Sequence, residues 1–375
     1  MAFVKNLLPL LALWVLPAGS YARQARPADP YAYLTQDSHF PLTVSLFEFH
    51  SAFWINLHHF LLLQAQPNAP HRNPTSEGPL SKEEQQRWDA AVTYYQKNLI
   101  GHSVIFDDEM IAIDSALARS ENAPAVDTTD KALPPDLGKV LNAASPIYRK
   151  HWWPAHDLAN RLWIVSAEPL VRTFGPRLQD QLSAAYGTSW YPGFIRVDVC
   201  NWAGPMLAGY TTGSAHGHII LPSSDVRVQG FASLETLFHE AGHTIVGPWA
   251  GTISQAIAAA ARARNIPEPE DLWHALMFYT TGELVRRDLE ELGYLSYEPY
   301  ADKYDLWRGP WRNYRGVLSV FWRLHLDGKL SIDQAMAKMM DVLALDANRG
   351  ASMQRPQRQS KATPRKSPGR SRIIA

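Results

Sequence analysis

Apolar positions recur at helical spacing through most of the chain and at strand spacing in only two short stretches, which predicts a helix-rich fold with a small sheet. Phe49 to Gln64 reads as an apolar helix carrying Phe53, Trp54, Leu57, Phe60 and Leu61. Ser81-Lys82-Glu83-Glu84 has the form of a capping box and opens a helix through Leu99. Further helices are expected at Asp107 to Arg119, His156 to Phe174 and Pro176 to Tyr186. Two strands follow. Phe194 to Cys200 alternates apolar and polar residues with β-branched side chains, and Gly217 to Leu221 repeats a shorter β signal ended by Pro222. Helical spacing then returns at Phe231 to Val246, around Ser254 to Arg264, and at Asp271 to Leu292. Trp307 to Trp322 is rich in aromatic residues and arginine, and Ser331-Ile332-Asp333-Gln334 caps a final helix through about Leu345.

The connecting segments divide this pattern. Lys5, the apolar run Leu7 to Leu16 and the small-x-small site Ser20-Tyr21-Ala22 have the form of an export signal cleaved after Ala22, which predicts a secreted or periplasmic protein. The run is too short to span a bilayer comfortably, so no stable membrane span is expected. Arg23 to Pro41 reads as an extended arm, and Pro67 to Pro79 as a loop rich in Pro, Asn and Ser. Glu121 to Pro135 is a polar, proline-containing linker and the best internal boundary. The expected organisation is therefore a signal peptide at 1–22, a helical N-terminal region at 23–135, a catalytic region at 136–346 and a basic, disordered tail at 347–375.

Composition narrows the function. The chain of 375 residues is 46% hydrophobic, enough for a large core, and its 36 basic residues balance 36 acidic ones. Eight of the basic residues, with no acidic ones, lie between Arg349 and Arg372. Without these eight and Lys5 the basic count falls to 27 against 36 acidic residues, so the body is acidic and a nucleic-acid role is disfavoured. Cys200 is the single cysteine, so no intrachain disulfide can form and an exported domain must rely on its core. Nothing in the composition fixes an oligomeric state.

The chemistry concentrates in Leu234 to Gly247. Within it, His239-Glu240-Ala241-Gly242-His243 is an H-E-x-x-H pentapeptide whose histidines, one helical turn apart, project from one face. Two imidazoles so placed can share a zinc ion, and the glutamate beside the first can take a proton from a bound water. Leu234, Leu237, Phe238, Ala241 and Ile245 bury this helix, and buried groups of that kind without partners are costly unless a metal joins them. Other histidines are weaker candidates: His58 and His59 point about 100° apart on their helix, His50 shares an apolar stripe, and His216 and His218 read as polar-face residues.

A catalytic zinc needs a third protein ligand. A metzincin continuation would place Gly at 246 and His at 249, where the chain has Val246 and Trp249. The export signal, strand, H-E-A-G-H helix and downstream glutamate-bearing helix together resemble zinc metallopeptidases of the gluzincin group over Phe194 to Leu292. The resemblance implies an α+β, predominantly helical, zincin-like catalytic core with a small sheet and Zn2+ as cofactor. In that group a downstream helix supplies a glutamate, and Glu283 is expected as the third ligand beside His239 and His243 on helix geometry more than on a family signature, since Thr280-Thr281-Gly282-Glu283-Leu284 stands where thermolysin-like enzymes have N-E-x-x-x-D. Glu283 shares a stripe with Leu272, Leu276 and Tyr279, where a carboxylate needs a cation, either a metal or an arginine such as Arg286. His274 is the competing ligand, about 180° from Glu283 around the same helix.

Gly282 would let this helix pack closely against Ala241-Gly242, and Glu235 is placed to orient an imidazole N–H. Hydrolysis of peptide bonds in a peptide or protein substrate is then expected, with Glu240 as general base and a donor to the oxyanion among Tyr279, Tyr294, Tyr297 and His218. Arg312 and Arg315 are expected near the site, and Gly217 to Leu221 as the sheet edge that receives the substrate backbone. The alternative is a noncatalytic zinc- or ligand-binding envelope protein that retains the H-E-x-x-H helix.

Overall fold

The computed structural model describes residues 41–67, 78–204, 208–213, 216–248 and 251–353. The proposed export signal, nearly all of the expected arm, most of the loop after Pro67 and the tail beyond residue 353 lie outside the described residues. Residues from Phe40 onward belong to one compact unit.

The fold is α+β and predominantly helical. Its sheet has five strands: β1 (Leu42–Val44), β2 (Phe47–His50), β3 (Ile195–Cys200), β4 (Tyr210–Thr212) and β5 (His218–Pro222), in the order β1-β2-β3-β5-β4. β2, β3 and β5 run parallel, and the outer strands β1 and β4 are antiparallel to their neighbours. The helices are α1 (Phe53–Gln64), α2 (Lys82–Asn98), α3 (Asp108–Ser120), α4 (Leu137–His151), α5 (Trp153–Tyr186), α6 (Phe231–Gly242), α7 (Thr252–Arg262), α8 (Leu272–Glu291), α9 (Tyr300–Lys303), α10 (Tyr314–Val317), α11 (Arg323–Leu326) and α12 (Ile332–Met353).

Strand alternation divides the core. Phe47, Phe49, Ile195, Val197, Val199, Ile219 and Leu221 join a hydrophobic cluster with α5 to α8 and α12. Cys200, Tyr210 and Ile220 join a second cluster with α1 to α4. The sheet therefore serves two helical layers, as expected when adjacent side chains point to opposite faces.

Several expectations are corrected. Phe49 and His50 belong to β2 and not to the first helix, because Phe47-Glu48-Phe49-His50 alternates and pairs with β3 in the register Phe47 to Ile195. The two helices expected at 156–174 and 176–186 are one, α5, which runs through Pro169 and Pro176. Each interior proline costs about 3 kcal/mol, but Trp163, Ile164, Ala167, Val171, Leu178 and Leu182 form a continuous buried stripe that outweighs this. Strand β5 is internal, between β3 and β4, so the sheet edge beside α6 is β4. The last helix continues to Met353, into the segment expected to be disordered. The capping boxes at Ser81–Glu84 and Ser331–Gln334 are both formed.

The boundary expected at residue 135 does not separate two bodies. β1 and β2, from the first half of the chain, complete the sheet that carries β3 to β5. α5 packs against α4 on one side and α6 and α8 on the other.

Candidate metal centre

Helix α6 is shorter than its hydrophobic pattern predicts. It ends at Gly242, and His243, Thr244 and Ile245 continue as a tight turn, with His243 N–H donating to the Glu240 carbonyl at 3.1 Å. Leu234, Leu237, Phe238 and Ala241 face the core, which leaves His239 and Glu240 directed into a cleft of about 570 Å³. Gly242 lies against α8: a Cβ there would stand 3.0 Å from Met277 Cε.

Helix α8 delivers His274. Its Nε2 lies 3.3 Å from His239 Nε2, and the ligating nitrogens of His239, His243 and His274 all fall within 4.8 Å of one another. For Zn–N bonds of about 2.0–2.1 Å at tetrahedral angles, the ligand nitrogens stand about 3.3–3.4 Å apart. The His239–His274 separation is therefore already an edge of such a tetrahedron.

The surroundings favour neutral imidazoles. Phe278, one turn beyond His274, stacks on His239 with ring centroids 3.9 Å apart, Trp273 stacks on His274 at 5.0 Å, and Trp311 meets His274 edge-on at 5.5 Å. Burial pushes His239 well below the usual histidine value, His243 down to about 3 and His274 to about 4, with the neighbouring imidazoles adding to the shift of the first two. His239 Nδ1 is buried without a hydrogen-bond partner among the described residues. Neutral, convergent nitrogen donors fit a zinc ion.

Glu240 is 7% exposed, and burial raises its carboxyl to about 7 against the lowering effect of Thr211. The Thr211 hydroxyl on β4 lies 2.8 Å from both the Glu240 Oε2 and the Glu240 carbonyl oxygen, so it donates to one or the other.

The structure does not bring Glu283 to the histidines. Arg286 and Arg287 hold its carboxylate through contacts of 2.7 to 3.0 Å. The reason is rotational: with His274 turned to the cleft, a residue about 180° away on the same helix must face elsewhere. Arg286 is thus the cation that this buried acid needed, and His274 takes the place expected of Glu283.

Glu235 is also corrected. It is 1% exposed and makes no hydrogen bond to an imidazole; instead it accepts from Tyr297 Oη and from the Tyr300 backbone N–H at 3.0 Å. Burial raises it to about 7, opposed by these two bonds. Gly282 makes room for this contact and not for Ala241-Gly242, since a Cβ there would lie 2.9 Å from Glu235 Oε1 and 2.7 Å from Pro299.

The expected oxyanion donors lie elsewhere. Tyr297 is engaged by Glu235, the Tyr294 ring packs on Phe231, and Tyr279 is raised to about 12 by burial and by Glu283 nearby. His218 Nε2 lies 2.7 Å from Asp198 Oδ2. Arg315 pairs with Asp302, and Arg312 lines a separate depression beside Glu270. The cleft is lined instead by residues that the sequence did not single out, among them Thr211, Trp273, Phe278 and Tyr300. Ile105 and Phe106, from the turn between α2 and α3, also reach it, and Phe106 is 80% exposed.

Phe278 could have been found from its i, i+4 relation to His274. Thr211 could not, because it lies 29 residues before Glu240 on a three-residue strand. None of the protein-family models, curated proteins or solved structures compared with the chain matches it.

Proposed function

We propose that the chain is an exported, zinc-dependent metallopeptidase in which His239, His243 and His274 hold the metal and Glu240 is the general base. The observation that carries this reading is the convergence of three neutral imidazoles beside a buried carboxylate, in a cleft open to solvent. The site departs from the gluzincin pattern in its third ligand, a histidine from α8.

Bound zinc would supply a Lewis acid that polarises a water molecule and the scissile carbonyl. The protein's part follows from its own groups. Glu240, raised toward neutrality, can accept a proton at Oε and return it to the leaving amine. Thr211 restrains that carboxylate through its 2.8 Å contact. Trp273, Phe278 and Trp311 keep water from the outer faces of the imidazoles. β4 is the free edge of the sheet and lines the cleft, so an extended substrate backbone can add to it as a further strand. Export rests on the N-terminal sequence. Among the described residues no helix is long and apolar enough to cross a membrane.

The position of Glu240 beside the cleft favours hydrolysis over metal storage, which needs no base. Elemental analysis of the purified chain should give about one zinc per chain. Glu240→Gln should keep the zinc and lower the cleavage of a mixed-sequence peptide pool by about 100- to 10,000-fold. A chain that takes up no zinc, or a Glu240→Gln variant as active as the parent, would sink the proposal.

A further inference from the structure

Strand β4 has only three residues, pairs with a single neighbour and forms the edge of the sheet. So short an edge strand has little backbone bonding of its own to hold it in place. Two adjacent side chains tie it to opposite layers. Thr211 reaches Glu240 on the metal side, at 2.8 Å. Tyr210, 2% exposed, turns to the N-terminal helical layer, where its hydroxyl donates to Asp114 Oδ2 at 2.8 Å and lies 3.1 Å from His59 Nε2.

Asp114 is 1% exposed on α3, and His58 and His59 on α1 are fully buried around it, with Nε2 atoms 3.8 and 3.5 Å from Asp114 Oδ1. Tyr95 closes the group, its hydroxyl 2.9 Å from His58 Nδ1. A carboxylate and two imidazoles are expensive to bury, and a Phe–Leu contact would pack β4 as well without them. What they add is direction: a hydroxyl bonded to a fixed carboxylate sets both the depth and the rotation of the strand, and with it the position of Thr211.

We infer that Asp114 and Tyr210 are positioning residues that clamp β4 so that Thr211 holds Glu240 in place, which gives the N-terminal helical layer a part in the reaction. This rests on the metallopeptidase reading for its catalytic consequence, but not for the clamp itself. Among the described residues neither hydrogen-bonds His239, His243 or His274, although Tyr210 also lines the edge of the cleft.

The test uses the full-length, zinc-loaded chain and three readouts: zinc content, hydrogen exchange over residues 208–213, and kcat and KM for one peptide that the unmodified chain cleaves. Tyr210→Phe removes one oxygen and keeps the ring. It should speed exchange in 208–213 about tenfold, lower kcat about tenfold, and leave KM within twofold and zinc at about one per chain. Asp114→Asn should do the same; should that variant fail to fold, Tyr210→Phe carries the test alone. Thr211→Val should lower kcat similarly, and Thr211→Ser, which keeps the hydroxyl, should restore it.

Unchanged exchange in Tyr210→Phe would overturn the clamp whether or not peptides are cleaved. Faster exchange with unchanged kcat would overturn the catalytic role. If the unmodified chain cleaves nothing while exchange responds as expected, the clamp stands and the peptidase reading falls.

Discussion

Two groups of histidines occupy the two helical layers, one fully buried and one partly buried at the cleft, and they differ in what surrounds them. His58 and His59 share a carboxylate, Asp114, and the hydroxyls of Tyr95 and Tyr210. Among the described residues no carboxylate bonds the imidazoles of His239, His243 and His274, which meet aromatic rings and one another. A buried imidazole needs a donor for its lone pair and an acceptor for its N–H. The first group finds a hydroxyl for one nitrogen of each ring and has a carboxylate 3.5 to 3.8 Å from the Nε2 atoms, although His58 Nε2 and His59 Nδ1 make no hydrogen bond among the described residues. In the second, one nitrogen from each of three rings lies within 4.8 Å of the others with no carboxylate bonded to them, and a cation is the chemistry that fits such a group.

The comparison breaks most readily at the third ligand. His274→Ala should weaken zinc binding by at least about 100-fold, more than a change behind a ligand usually does, whereas Glu283→Gln should bind zinc as the parent does. Competition with a chelator measures both, and the opposite order would return Glu283 to the site.

Next in size is the self-contained group. Asp114→Ala takes away the acceptor of the buried Tyr210 hydroxyl and the carboxylate beside two buried imidazoles, and should cost about 1–3 kcal/mol in chemical denaturation at pH 7.

Acid sharpens the contrast further. Burial chiefly lowers His58 to about 3, His243 to about 3 and His274 to about 4, so below the usual 6.5 the unfolded chain binds more protons than the folded one. The stability of the metal-free protein should therefore be full above pH 6.5 and fall on acidification toward about pH 4, by about 1.4 kcal/mol per pH unit for each histidine kept neutral. Added zinc should raise the melting temperature at pH 7.5 and still do so at pH 5.5, where the folded nitrogens remain neutral, and should lose its effect as the pH falls through about 4 to about 3. A zinc effect that persists undiminished below about pH 3 would argue against histidine ligation.

The smallest effect is expected at Glu283→Gln, about 1 kcal/mol. Its arginine partners are partly solvated and keep other acids, Glu290 for Arg286 and Asp327 for Arg287.

Much of this arrangement could be read from the residues. The apolar cover of α6 and α8 is a local property and the structure has it as expected, while α6 stops at Gly242 and leaves His243 in the turn that follows. The third ligand depended on the rotation of α8 about its own axis. Glu283 reads as a carboxylate needing a cation and His274 as a competing ligand on the opposite face, and only the packing of Met277 on Gly242 and of Gly282 on Pro299 and Glu235 shows which face turns to α6. Strands β1, β2 and β4 are three or four residues long, too short for periodicity to register, and their pairing is non-local. α5 was divided at Pro176 because local propensity was weighed without the buried stripe that overrides it.

The early position of β1 and β2 has a practical side. A shortened polypeptide begun at residue 136 would still contain α6, α8 and all three cleft histidines. It would lack Phe47, whose ring packs edge-on against Phe238 at 5.2 Å, and would leave β3 without its parallel partner. An uncovered strand of Ile195, Val197 and Val199 is a template for pairing with other molecules. Expression of such a fragment should yield aggregate in place of a minimal enzyme, so the smallest soluble unit has to include the hairpin at residues 42–50.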